Sequence, residues 1–142
     1  MSEANPAITP EWVRERLAGT FPDQLGVEPV DITDERAVGR LLVDERHLHP
    51  GGVVDGGAWV ALADSAAAWQ TFRHLPLDYD FTTLEMKLNV FAAGRPGDEL
   101  IATAKHLHAG RATHVVDVAV TRGDRSVAHL IVTQFVIAPP AG

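Results

Sequence analysis

Between Phe81 and Phe91 the chain alternates: Leu84, Met86, Leu88 and Val90 share one side, and Thr83, Glu85, Lys87 and Asn89 the other. A period of two predicts a strand with one covered face. Three more extended segments follow at 98–108, 113–122 and 126–137, and Gly94-Arg95-Pro96-Gly97, Ala109-Gly110-Arg111 and Gly123-Asp124 join all four in succession. Short glycine-bearing connections of this kind make consecutive strands antiparallel neighbours. Upstream, 25–33 and 37–44 read as two further strands about the turn-prone Asp34-Glu35.

The helical stretches carry a different pattern. From about Ala58 to Arg73 there is no proline or glycine, there are six alanines, and Trp59, Val60, Leu62, Trp69 and Phe72 fall all around the helix. Such a helix is predicted to be buried on most sides. A shorter one is expected from Pro10 to about Ala18, since Thr9 offers a capping hydroxyl and Pro10 suits the first turn. One long helix and about six strands predict an α+β fold, an antiparallel sheet wrapped round a central helix. We expect a single domain overall, with residues 1–21 as a flexible leader and short helix and 22–142 as the main folded unit. The last strand is apolar on both faces (Val127, Ala128, Leu130, Ile131, Val132, Phe135, Val136, Ile137). One helix cannot cover both, so a homodimer assembling to a homotetramer is expected.

Composition narrows the function. The 142 residues, 46% hydrophobic and 22% charged, suffice for one core. Without cysteine there is no disulfide, thiolate metal site or cysteine nucleophile. A net charge of −7 without a basic patch argues against a nucleic-acid partner. No stretch approaches the ~20 apolar residues of a membrane-spanning helix, and the amino terminus lacks a basic-then-apolar signal, so a soluble, cytoplasmic protein with no membrane partner is expected.

Within the apolar helix sits one carboxylate, Asp64, flanked by Leu62, Ala63, Ala66 and Ala67, with Val60 and Ala68 one turn away. Those neighbours offer no compensating charge or hydrogen bond, and a strained ionised group is common at functional sites. Gly56 and Gly57 mark the helix start, where free N–H groups and the positive end of the helix dipole could hold a developing oxyanion. Asp55 before them suits an N-cap. Eight residues of helix separate Gly56 from Asp64 by ~12 Å. One chain therefore cannot bring both to one carbonyl, and a second subunit with an antiparallel helix could.

His49-Pro50-Gly51-Gly52-Val53-Val54-Asp55-Gly56-Gly57 followed by Leu62-Ala63-Asp64-Ser65-Ala66, with 84–91, Gly97-Asp98-Glu99-Leu100 and Gly110-Arg111 downstream, resembles the hotdog-fold acyl-CoA thioesterases of the phenylacetate-degradation (PaaI-like) and 4-hydroxybenzoyl-CoA type. The likeness spans about residues 22–137. It implies a hotdog fold and thioester hydrolysis, with coenzyme A as part of the substrate and no other cofactor. The Gly56 N–H, with Gly57 beside it, would bind the thioester oxygen, and Asp64 of the neighbouring chain would act as nucleophile or general base. Three positions depart from the family pattern: Asp55 stands where histidine is usual, His49 where asparagine or glutamine would polarise the carbonyl, and Ala68 where one branch has threonine. His49 could donate to the thioester oxygen instead, while Asp55 places an anion beside the oxyanion hole.

Further candidates are weaker. Ser65, next to Asp64, and Ala68, one turn further on, are candidate substrate-binding residues, and Arg95 and Arg111 lie in turns where guanidinium groups could bind the phosphates of coenzyme A. His47-x-His49 and His106-x-His108 have ligand-like spacing but no third ligand, so no metal is expected. Two alternatives to hydrolysis stay open at this level: a non-catalytic acyl-CoA-binding protein, motivated by Asp55, and a hydroxyacyl-thioester dehydratase or hydratase using His49 with Asp64.

Overall fold

The computed structural model describes residues 4–142. Helices α1 (Pro10–Leu17) and α2 (Phe21–Gln24) precede strands β1 (Glu28–Ile32) and β2 (Ala37–Leu42), and a short 3-10 turn at Glu45–His47 leads to the long helix α3 (Gly56–Arg73). Strands β3 (Asp80–Val90), β4 (Glu99–Ala109), β5 (Thr113–Arg122) and β6 (Arg125–Ile137) complete one sheet of order β1-β2-β4-β5-β6-β3, every adjacent pair antiparallel.

Local chemistry sets the ends of α3. Asp55 is its N-cap, accepting from the Gly57 N–H at 2.8 Å, and Pro76 lies two residues beyond the C-cap His74, where no helix can continue. The small Ala58, Ala63, Ala66 and Ala67 let the sheet approach closely. Around them Leu62 joins Leu41, Leu100, Ala102, Ala104, Val116, Val118, Val120, Leu130 and Val132 in one core. Trp69 lies over Gly39, where a Cβ would stand 3.1 Å from the indole, so glycine in β2 makes room for the ring.

Three expectations change. Residues 1–8 read as a flexible leader, yet Asn5 donates to the Arg73 carbonyl and Ile8 is 1% exposed within the core; residues 1–3 lie outside the described residues. The alternation in β3 breaks at a bulge between Thr83 and Glu85, which leaves Leu84 exposed while Met86 and Leu88 stay half-buried. The short helix α2 is unexpected: it is only four residues long, with Pro22 in its first turn.

A polar layer crosses the otherwise apolar core near the C-terminal end of α3. His106 and His114 share a hydrogen bond of 2.8 Å between Nε2 and Nδ1, the His74 ring meets His106 edge-on at 4.7 Å, and Thr71 donates to Gln134. Burial, followed by neighbouring imidazoles, pushes His106 down to about 3 and His114 down to about 4. Both rings are therefore neutral near pH 7.

Candidate active site

Asp64 stands midway along α3, half-buried, with no hydrogen bond or ion pair among the described residues. Burial raises its pKa, and no cation lies near enough to offset this. It lines a partly open cavity of about 400 Å³ between α1, α3 and the start of α2. Ser65, Ala68, Trp69 and Phe72 form the wall from α3, and Trp12, Arg16 and Leu17 the wall from α1. The stripe from Asp64 to Ala68 and Phe72 follows the four-residue repeat of one helix face.

Each residue named from the sequence has a definite place. Ala68 shares the cavity with Asp64, and Ser65 lines it too, although its hydroxyl donates back to the Ala61 carbonyl at 2.6 Å. Gly57 opens instead on a second cavity, about 250 Å³, with Asp55, His47, Leu48 and Phe21. The Gly57 N–H is taken by the Asp55 carboxylate, whereas the Gly56 N–H, at the first helical position, has no intrahelical acceptor. Within one chain, then, Gly57 and Asp64 open on different cavities. His49 curls over its own loop: its Nδ1 accepts from the Gly51 N–H at 2.8 Å, and a Cβ on Gly51 would stand 2.5 Å from the ring. That leaves Nε2 of His49 as the nitrogen available to a ligand. His47 is buried and structural, bonded through Nδ1 to the Asp44 N–H and through Nε2 to the Leu25 carbonyl.

The two arginines expected at coenzyme A separate. Arg95 lies in the β3–β4 connection, next to the Gly94 that packs on Trp59 near the start of α3, while Arg111 lines a cavity with Tyr79, Leu75 and His114 beyond the end of α3. Eighteen residues of helix, ~27 Å, lie between these regions. The sequence reading missed Trp12, Arg16 and Thr20 as wall residues. Trp12, Arg16 and the one-turn spacing between them were the available signal, but α1 lacks a partner until the fold supplies α3.

A half-buried carboxylate without an ion pair among the described residues, beside an apolar cavity and on the long helix packed against one antiparallel sheet, is the arrangement expected of a hotdog-type hydrolase. Comparison with known proteins agrees. A model of the thioesterase superfamily matches residues 51–129. The chain is 30% identical over 133 residues to PA1618 of Pseudomonas aeruginosa, spanning 93% of this chain and 91% of that one. The crystal structure of a mutant of PA1618, described as a thioesterase, superposes with a TM-score of 0.89 at 25% identity, covering 96% of this chain and 99% of that one. The chain is also 30% identical over 116 residues to a 1,4-dihydroxy-2-naphthoyl-CoA hydrolase of Listeria monocytogenes, 82% of this chain and 92% of that one. The PaaI protein of E. coli shares the fold, with a TM-score of 0.80 at 22% identity over 89% of this chain and 90% of that one. This chain belongs to the thioesterase superfamily, with the hotdog fold, and is a thioester hydrolase.

Proposed function

We propose that the protein hydrolyses acyl-CoA thioesters at a site shared between two copies of the chain, with Asp64 as the catalytic carboxylate. The observation that carries this is Asp64 itself: a half-buried acid, without a partner among the described residues, on the wall of an apolar cavity, with its pKa raised by burial. The acyl group occupies that cavity. The partner's helix start then brings the Gly56 N–H to the thioester oxygen, aided by Nε2 of His49, because the glycines of the same chain are ~12 Å away. Asp55 holds the Gly57 N–H, so Gly56 is the principal backbone donor.

Two routes use the same geometry. As general base, Asp64 takes a proton from water, whose oxygen attacks the carbonyl carbon; collapse of the oxyanion expels the coenzyme A thiolate, which recovers the proton. As nucleophile, Asp64 forms a mixed anhydride and expels the thiolate, and water then cleaves the anhydride. Single turnover in labelled water separates them, since only the covalent route can place the label in Asp64.

Support for a second copy comes from the sheet edge. Strand β3 is an edge strand of 11 residues, and Leu84, Val90 and the adjoining Phe91 are exposed there. Asp64→Asn is expected to lower thiol release from acyl-CoA by at least ~100-fold while leaving the oligomer, measured by sedimentation, unchanged. Unimpaired turnover by that variant would remove Asp64 from the chemistry. A homotetramer and a cytoplasmic setting remain part of the proposal; among the described residues no helix is long and apolar enough to cross a membrane.

A further inference from the structure

The cavity beside Asp64 has a second charged group, from the other helix. Arg16 lies across it on α1, and its guanidinium carbon sits 3.8 Å from the centre of the Trp12 ring. Stacking occupies the flat face of the guanidinium, and one amino group donates to the Trp12 carbonyl at 3.3 Å. The remaining edge donors are left for another acceptor. The indole restrains the group, so less conformational freedom is lost when it binds.

Among the described residues Arg16 shares its lack of an ion pair with Lys87, Arg95, Lys105, Arg111 and Arg125, and of these six it alone lines the cavity beside Asp64. The chain has 19 acidic residues against 12 lysines and arginines, and Arg14, Arg36, Arg40, Arg46, Arg73 and Arg122 each have a carboxylate partner. Arg16 forms no ion pair among the described residues, although acids outnumber bases. Asp64 does not serve it either: the two share a cavity without an ion pair, and burial is the sole cause of the raised Asp64 pKa. Between them the walls are Trp12, Leu17, Trp69 and Phe72, with the Trp12 and Phe72 rings 6.1 Å apart. The cavity thus has a carboxylate on one wall, a cation on the other and an apolar slot between.

We propose that Arg16 is a specificity-determining residue, selecting thioesters whose acyl group carries a carboxylate at the end remote from the thioester. Resting on the assignment of this cavity to the acyl group, the proposal adds a charge preference. With the thioester at Asp64, the body of the acyl group lies in the apolar slot and its terminal carboxylate meets the guanidinium edge. Charge-assisted hydrogen bonds of this kind exceed neutral ones, though solvent access at an exposed arginine weakens them.

The test uses matched substrates that differ only in the terminal group: benzoyl-CoA against 4-carboxybenzoyl-CoA, and hexanoyl-CoA against its 5-carboxypentanoyl analogue, read by thiol release. The protein is expected to favour the carboxylated member of at least one pair by about fivefold or more in kcat/KM, mostly through KM. Arg16→Gln is expected to bring that ratio close to one, Arg16→Glu to invert it, and Arg16→Lys to restore part of it. Arg14→Gln, on α1 but outside this cavity, leaves the ratio as it was. If Arg16 only covers Trp12, all three Arg16 variants change both members of a pair alike, and that overturns the proposal. A protein that cleaves the neutral thioesters without favouring the carboxylated ones also overturns it, while the hydrolase reading stands. Failure to cleave any of the four overturns both.

Discussion

Acidification between pH 7.5 and 5.0 should destabilise this fold through His106 and His114. Their pKa values fall to about 3 and about 4 in the folded chain, against 6.5 for an unperturbed imidazole. Below pH 6.5 the unfolded chain takes up protons that the folded chain refuses, so stability falls as pH falls, down to the folded values. At pH 5 the gap from 6.5 corresponds to about 2 kcal/mol per imidazole at 1.36 kcal/mol per unit; halved for solvent access, it is about 2 kcal/mol for the pair. For a domain of this size that lowers Tm by about 4–8 °C. Structurally, the 2.8 Å contact needs one proton between the two nitrogens, and a second proton would set two donors against each other. The assay is Tm by calorimetry at both pH values for the parent and for a double variant, His106→Gln with His114→Gln. Amides do not titrate, so the fall on acidification should shrink by most of that amount, and comparing each protein with itself cancels any baseline loss. Equal falls in parent and variant would refute the reasoning.

Other predictions follow from single contacts. Asp55→Ala removes the N-cap on the Gly57 N–H and should cost about 1 kcal/mol, seen as a lower midpoint in urea with an unchanged slope. Gly94→Ala would place a Cβ 2.6 Å from Cγ2 of Val54 and 3.2 Å from Trp59; overpacking there should cost about 1–3 kcal/mol in the same titration. Because Asp64 acts ionised and burial raises its pKa, kcat/KM for thiol release should fall on the acid side with a midpoint above the usual carboxylate value of 3.8. A midpoint at or below that value would show that Asp64 is not the titrating group.

Most of the fold is a local matter and was legible along the chain. The two-residue period of 81–91, the turn runs at Gly94–Gly97 and Gly123, and the alanine-rich, proline-free stretch to Arg73 each bias a few neighbouring residues. They identify one helix and six strands without reference to anything distant. Asp64 was visible for the same reason, since its apolar neighbours are adjacent in sequence. Leu84 was not, because a bulge depends on the register of the partner strand β6, 49 residues further on, where Gln134 and Thr133 pair on either side of it.

The site walls and the charge states were decided only in three dimensions. The sequence placed 1–21 outside the main folded unit, yet α1 supplies Trp12 and Arg16 to the cavity facing Asp64. His106 and His114 look like ordinary strand residues; three strands and α3 must enclose them before burial makes them resist protonation. The Gly57 N–H looked free from the sequence, and the backbone geometry at Asp55 determines that its own cap uses it. Periodicity encodes which face of an element turns inward, because that information is carried by neighbours. Which groups meet across the interior depends on the packing of distant elements, and desolvation, cavity shape and donor availability depend on that packing.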